Sequence, residues 1–157
     1  MDVINAFIAH HHNDEKWIEP FKNKAGKHCF IRDSSIVETE PNNANNPDYI
    51  KAKYLRPSID WAGHVFVFVS KDTKVSNPEC GIEWEVDYAF KNGKTISVIY
   101  LPGATEADLT PNLEEYADNY IRWDNDKGII DAINGNVVSD AAAGGIRTTA
   151  GGSGMVC

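Results

Sequence analysis

Apolar residues fall along this chain in short unbroken runs rather than in strict alternation. Val3 to Ala9 (Val-Ile-Asn-Ala-Phe-Ile-Ala), His64 to Ser70 (His-Val-Phe-Val-Phe-Val-Ser) and Thr95 to Leu101 are apolar at nearly every position. Strands read this way when both faces are covered, as in a parallel sheet flanked by helices. Two shorter runs, His28 to Ile31 and Tyr120 to Arg122, bring the set to about five strands. Helical signals lie between them. One helix begins near Asp14 and carries Trp17, Ile18 and Phe21. A second spans about Pro47 to Trp61, with proline suited to its first turn. Its apolar positions Ile50, Tyr54 and Ile59 keep only loose helical spacing, and Pro57 predicts a kink or break. A third helix runs from about Glu79 to Lys91 and is closed by Asn92-Gly93; a last one, Asp126 to Ile133, is ended by Asn134-Gly135. After Pro102-Gly103 no regular pattern is visible before Tyr120.

Strands alternating with helices predict a doubly wound α/β sheet. In such sheets a ligand sits beyond the carboxyl ends of the strands. That gathers His10 to Asp14, Arg32 to Ile36 and Ser70 to Glu85 around one mouth. From Val137 onward small residues dominate, in Ala141 to Ala143, Gly144-Gly145 and Gly151 to Gly154. Residues 1–135 are therefore read as the domain, and residues 136–157 as a flexible extension with little to bury.

Composition narrows the picture. A chain of 157 residues, 42% hydrophobic and 24% charged, is the size and make-up of one soluble domain. No apolar run approaches the ~20 residues that span a bilayer, so no membrane association is expected. The opening Met1-Asp2-Val3 lacks the basic and apolar stretches of an export signal, and a cytoplasmic setting is expected. Cys29, Cys80 and Cys157 suggest neither a disulfide framework nor a zinc site. A net charge of −8 disfavours nucleic acid as a partner. It is compatible with a small anionic ligand, which local cations and helix N-termini can hold.

The candidate chemistry centres on the helix Cys80-Gly81-Ile82-Glu83-Trp84-Glu85-Val86-Asp87-Tyr88-Ala89-Phe90. Ile82, Val86, Ala89 and Phe90 form a stripe at i, i+4, i+7 and i+8. Glu83 and Glu85 flank that stripe on opposite sides, and periodicity does not choose between them, nor between a site carboxylate and a solvated surface charge. His10 and His12 project the same way on extended chain, but no partnering Cys/His pair lies near, and no metal site is expected. Asp33 and Ser35 read as turn formers, Phe7 and Trp84 as packing residues, and Lys51, Lys53 and Arg56 as a solvated helix face.

Four segments, taken in order, resemble TIR-like domains, especially the TIR-like subunit of the Thoeris antiphage defence system. They are Phe7-Ile8-Ala9-His10-His11-His12-Asn13-Asp14, Arg32-Asp33-Ser34-Ser35-Ile36, Trp84-Glu85-Val86-Asp87-Tyr88-Ala89 with Gly93-Lys94 beyond, and Trp123-Asp124-Asn125-Asp126 leading into Ile129 and Ile133. Together they span residues 3–134. The resemblance implies a flavodoxin-like sheet, with Glu85 at the position of the family's catalytic glutamate. It implies Phe7, Ala9, His10, His11, Asp33, Ser35 and Trp84 as substrate contacts. The sequence departs from many relatives in having Gly81, not tryptophan, four residues before Glu85, and in its Asn-rich stretch Glu40 to Asn46.

The activity so implied is cleavage of the nicotinamide–ribose bond of NAD, with NAD as substrate and no further cofactor. The product would be ADP-ribose or a cyclic isomer acting as a signal to a downstream effector, and self-association would accompany activity. Two other readings stay open. A nucleoside 2-deoxyribosyltransferase-like enzyme shares the sheet and breaks the same class of bond, with Glu85 as nucleophile. A non-catalytic TIR-type scaffold would only assemble with like domains. A receiver domain is set aside, because no phospho-acceptor aspartate stands where the third strand ends at Val69-Ser70.

Overall fold

The computed structural model describes residues 3–33, 47–76 and 81–142. Its centre is one sheet of five parallel strands, β1 (Ile4–Ala9), β2 (Cys29–Asp33), β3 (His64–Val69), β4 (Thr95–Tyr100) and β5 (Asn119–Arg122), in the order β2-β1-β3-β4-β5. This is the flavodoxin-like order, in which the direction of winding reverses between β1 and β3. Every residue of β3 is buried, which is why its sequence shows no alternation.

One face is covered by α1 (Ile18–Ala25) and α6 (Asp126–Ile133), whose Ile18, Phe21, Ile129 and Ala132 pack on Ala6, Ile8, Phe66 and Phe68. A 3-10 turn, His12–Trp17, links β1 to α1. The other face carries α2 (Pro47–Ile50), a π-helical turn (Lys51–Leu55), α3 (Arg56–Trp61), α4 (Ile82–Lys91) and α5 (Pro111–Tyr116). There Ile50, Leu55, Ile59, Ile82, Val86 and Leu113 close on Phe7, Ala9, Val65, Val67 and Val98.

The α2–π–α3 run explains the loose spacing seen in the sequence. Pro57 has no N–H to continue an α-helical ladder. The ladder widens one step earlier, where the Arg56 N–H bonds the carbonyl of Lys51, five residues back. The extra residue re-phases the apolar stripe, so Leu55 is buried where Tyr54 was expected. The helix continues to Trp61 without a break.

Both Asn-Gly pairs end helices as expected. After α4, Lys94 N–H bonds Ala89 O and Gly93 N–H bonds Phe90 O, with Gly93 at φ 71°. After α6, Asn136 N–H bonds Asp131 O and Gly135 N–H bonds Ala132 O, with Gly135 at φ 90°. These are Schellman closures, and the positive φ is the reason glycine stands there.

Three expectations are revised. The segment after Gly103 is structured: α5 starts at the N-cap Thr110, whose side chain accepts from Leu113 N–H, followed by Pro111 at the first helical position. Phe90 is not part of the core stripe; it is 49% exposed and stacks on Tyr116 with ring centres 3.8 Å apart. The chain also stays packed beyond Gly135. Tyr120 N–H bonds Val138 O, Asp140 N–H bonds Tyr120 O, and Ala142 is buried in the core. Residues 143–157 lie outside the described residues. No helix among the described residues is long and apolar enough to cross a membrane.

Candidate active site

A helix that follows a parallel strand starts at the carboxyl edge of the sheet and runs back toward the amino edge. The first turn of α4 therefore stands at the carboxyl edge, one loop beyond Val69, and Glu85 is in that turn. Successive residues of an α-helix are about 100° apart. Glu85 follows Ile82 by three, precedes Ala89 by four and adjoins Val86, so it shares their inward side. The inward stripe is Ile82, Glu85, Val86 and Ala89, all buried, with Glu85 only 1% exposed.

Neighbouring helices assign the two flanks of α4. On one side the Tyr88 hydroxyl donates to a carboxylate oxygen of Asp60 on α3 at 2.7 Å, and the Trp84 ring stacks on Tyr88 at 5.1 Å. On the other side the Asn112 amide of α5 donates to Glu83 O at 2.9 Å and to Asp87 Oδ1 at 3.0 Å. Glu85 lies between the α3 flank and the core, whereas Glu83 stands on the α5 flank. Packing thus gives the two glutamates different surroundings.

Glu85 is an unusual core residue. Its Oε2 has no hydrogen-bond partner among the described residues, and burial pushes its carboxyl well above the ordinary glutamate value. A buried carboxyl without partners costs stability wherever it must ionise. Glu106, in the turn after β4, is a second buried glutamate with one oxygen unpaired among the described residues.

At the ends of β1 and β2 the structure brings His10 and Asp33 together, with Nε2 3.8 Å from Oδ1. Burial alone would lower the imidazole pKa; the Asp33 carboxylate and the His11 carbonyl, which meets His10 Nδ1 at 2.8 Å, outweigh it and raise the value. His11 goes the other way, lowered by burial and by the adjacent His12, and its Nδ1 accepts from Asn13 N–H. Strand alternation puts His10 and Asp33 on the α1 side of the sheet, and His10 meets Phe68 there. Phe7 and Ala9 face α3 and α4 and are fully enclosed in the core. Trp84 is half-buried at the rim of that core, with Lys51 Nζ 5.5 Å and the Arg56 guanidinium 5.7 Å from its ring. Ser35 and the Asn-rich stretch 40–46 lie outside the described residues.

Sequence reasoning missed the bond that ties the mouth together. Ser70, at the end of β3, donates its hydroxyl to Asp14 Oδ2 at 2.6 Å, which joins the loops after β1 and β3 across the switch point. Beside it opens a cleft of about 470 Å³ lined by Asp14, Lys16, Ser70, Asp72 and Gly103 among others. Glu85 does not line it. A second cavity, about 390 Å³, is at the opposite edge of the sheet around His64 and Asn119. Glu85 lines neither cavity. Among the described residues no group of three or more His, Cys, Asp or Glu is placed to hold a metal ion.

Comparison with known proteins gives one family, described as Thoeris protein ThsB, TIR-like domain, which matches residues 7–106. That span runs from β1 through the glutamate-bearing helix to the turn after β4. No curated protein matches the chain.

Proposed function

The chain belongs to the TIR-like domain family of the Thoeris protein ThsB, and from that membership we propose that it cleaves the nicotinamide–ribose bond of NAD, with Glu85 as the catalytic carboxylate. The observation that carries the reading is the burial of Glu85, unpaired at Oε2 among the described residues, in the first turn of a helix at the carboxyl edge of the sheet. Ordinary surface glutamates are neither buried nor unpaired.

The chemistry needs little from the protein. The glycosidic C–N bond breaks with its electron pair leaving on nicotinamide, and the ribose becomes oxocarbenium-like. A carboxylate aimed at that developing charge stabilises it far more in a desolvated site than in water. Glycosidases use the same electrostatic logic. Water then adds to the ribose carbon and releases a proton, giving ADP-ribose; an attacking group within the same molecule gives a cyclic isomer instead. Burial alone favours the neutral carboxyl. The positive charge of the bound nicotinamide ring favours its ionised form.

In this reading His10, His11 and Asp33 line the mouth from the α1 side of the sheet, while Phe7 and Ala9 support it from within the core. The setting is the cytoplasm during phage defence, the product acts on a downstream effector, and turnover rises when copies of the domain assemble. Mass spectrometry of NAD and its products, in cells making the protein with and without phage infection, tests the reading. It expects NAD loss with a matching ADP-ribose-type product on infection, and unchanged NAD in both states would contradict it.

A further inference from the structure

We propose that Lys51, Arg56 and Trp84 form the subsite for the anionic diphosphate of the dinucleotide substrate, next to the carboxyl of Glu85. The proposal rests on the cleavage reading and adds to it the group that holds the substrate's negative charge.

Lys51 and Arg56 read from the sequence as a solvated helix face. On a regular α-helix they would diverge, since residues five apart differ by about 140° around the axis. The π turn reduces that divergence. Its i→i+5 bond, Arg56 N–H to Lys51 O, brings the two residues nearer to one face of the helix. Both charged groups then reach the same indole, Lys51 Nζ at 5.5 Å and the Arg56 guanidinium at 5.7 Å from the Trp84 ring. Such turns occur often at functional sites. Here the turn does two things: it accommodates Pro57 and it brings two cations together.

An anion bound at that ring is attracted by both charges. The carboxylate beside Lys51 is a weak competitor for that role. Asp48 lies 3.5 Å from Nζ but is 95% exposed, whereas the Lys51 side chain is 15% exposed. A pair with one partner so solvated holds the lysine weakly, so a doubly charged diphosphate competes with it. Arginine adds a planar fork that matches phosphate oxygens, and lysine adds a point charge. The need for such a subsite follows from the net charge of −8, whose field opposes a dinucleotide everywhere that local cations do not reverse it. Position agrees: Trp84 immediately precedes Glu85 in the first turn of α4 and lies on its α3 flank.

The test is binding of ADP-ribose to the full chain by isothermal titration, since this ligand carries the diphosphate and has no bond left to cleave. The Lys51→Ala/Arg56→Ala double variant is expected to bind at least about 10-fold more weakly. Its affinity should also depend less steeply on salt than that of the unmutated chain. The charge-keeping Lys51→Arg/Arg56→Lys variant should restore most of the binding, and circular dichroism melting should show all variants folded. Equal affinity in the double variant, an unchanged salt slope, or a loss not recovered by the charge-keeping variant overturns the subsite, as does an unmutated chain that does not bind ADP-ribose. Cleavage is judged separately, by NAD consumption in Glu85→Gln, so the two ideas fail by different results.

Discussion

Tyr88 donates its hydroxyl to Asp60 at 2.7 Å, and this bond fixes which flank of α4 meets α3. The flank so fixed carries Trp84, and Glu85 lies between it and the core. Asn112 holds the opposite flank through Glu83 O and Asp87. Two glutamates separated by one residue therefore have different neighbours: Glu85 is enclosed, and Glu83 stands at the seam with α5.

Glu85 should tie stability to pH in a direction opposite to that of a salt-bridged carboxylate. Burial raises its pKa above the ordinary value of 4.5. The folded state therefore holds a proton that the unfolded state has released, and the favourable contribution, complete below the ordinary value, is lost as pH rises through the raised one. Glu85→Gln removes this dependence, so the variant should become progressively more stable than the unmutated chain between pH 5 and pH 8. At this chain length each kcal/mol corresponds to about 2–4 °C in Tm. Thermal melts of both proteins across that range check it; a Tm difference that does not change with pH would mean the carboxyl is not enclosed as described.

The His10–Asp33 pair makes a second, separable pH effect. His10 titrates above its ordinary value because Asp33 and the His11 carbonyl outweigh burial. Its contribution is present below the ordinary histidine value of 6.5 and disappears as pH rises through the folded one. Asp33→Asn should therefore cost on the order of 1 kcal/mol near pH 6, as loss of a partly exposed ion pair, and clearly less near pH 8.5. NMR titration of the His10 ring should show its pKa falling in the variant. A cost equal at both pH values would assign Asp33 a packing role instead.

Two truncations should behave differently. Removing residues 143–157 is expected to leave Tm within about 2 °C, given the small residues that dominate that stretch. Removing residues 136–157 also strips the Val138 and Asp140 bonds to β5 and the buried Ala142. At about 0.5–1.5 kcal/mol net per hydrogen bond, that deletion should cost several kcal/mol. Equal melting of the two truncations would contradict the packing of residues 136–142.

What was legible in the sequence follows from where local pattern and tertiary structure agree. β3 and β4 could be read because burial on both faces leaves unbroken apolar runs, and the ends of α4 and α6 because Asn-Gly marks a Schellman closure. The π turn was not legible as such. Ile50, Leu55 and Ile59 follow a stripe only once a fifth residue is inserted into one turn, and local pattern favoured Tyr54. Phe90 looked like a core residue by spacing but finds its partner in Tyr116, on a helix the sequence reading had not placed. The signal for that helix, Thr110-Pro111 with Leu113 three residues on, was present and unused. Glu85 could not be ranked above Glu83 from periodicity, because the difference lies in which helices flank α4. The resemblance to TIR-like domains named the residue, and the packing shows what is physically distinct about it.

The central claim is that the Glu85 carboxylate drives cleavage, and comparing NAD consumption by Glu85→Gln and Glu83→Gln in phage-infected cells tests it most directly. Gln keeps the outline of Glu and removes the charge. Loss of one such electrostatic contact costs about 2.7–4 kcal/mol, or roughly 100–1,000-fold in rate. The account predicts a folded Glu85→Gln protein with NAD cleavage reduced to that degree, beside a Glu83→Gln protein that retains most of it. Full activity in Glu85→Gln, with or without loss in Glu83→Gln, would contradict it.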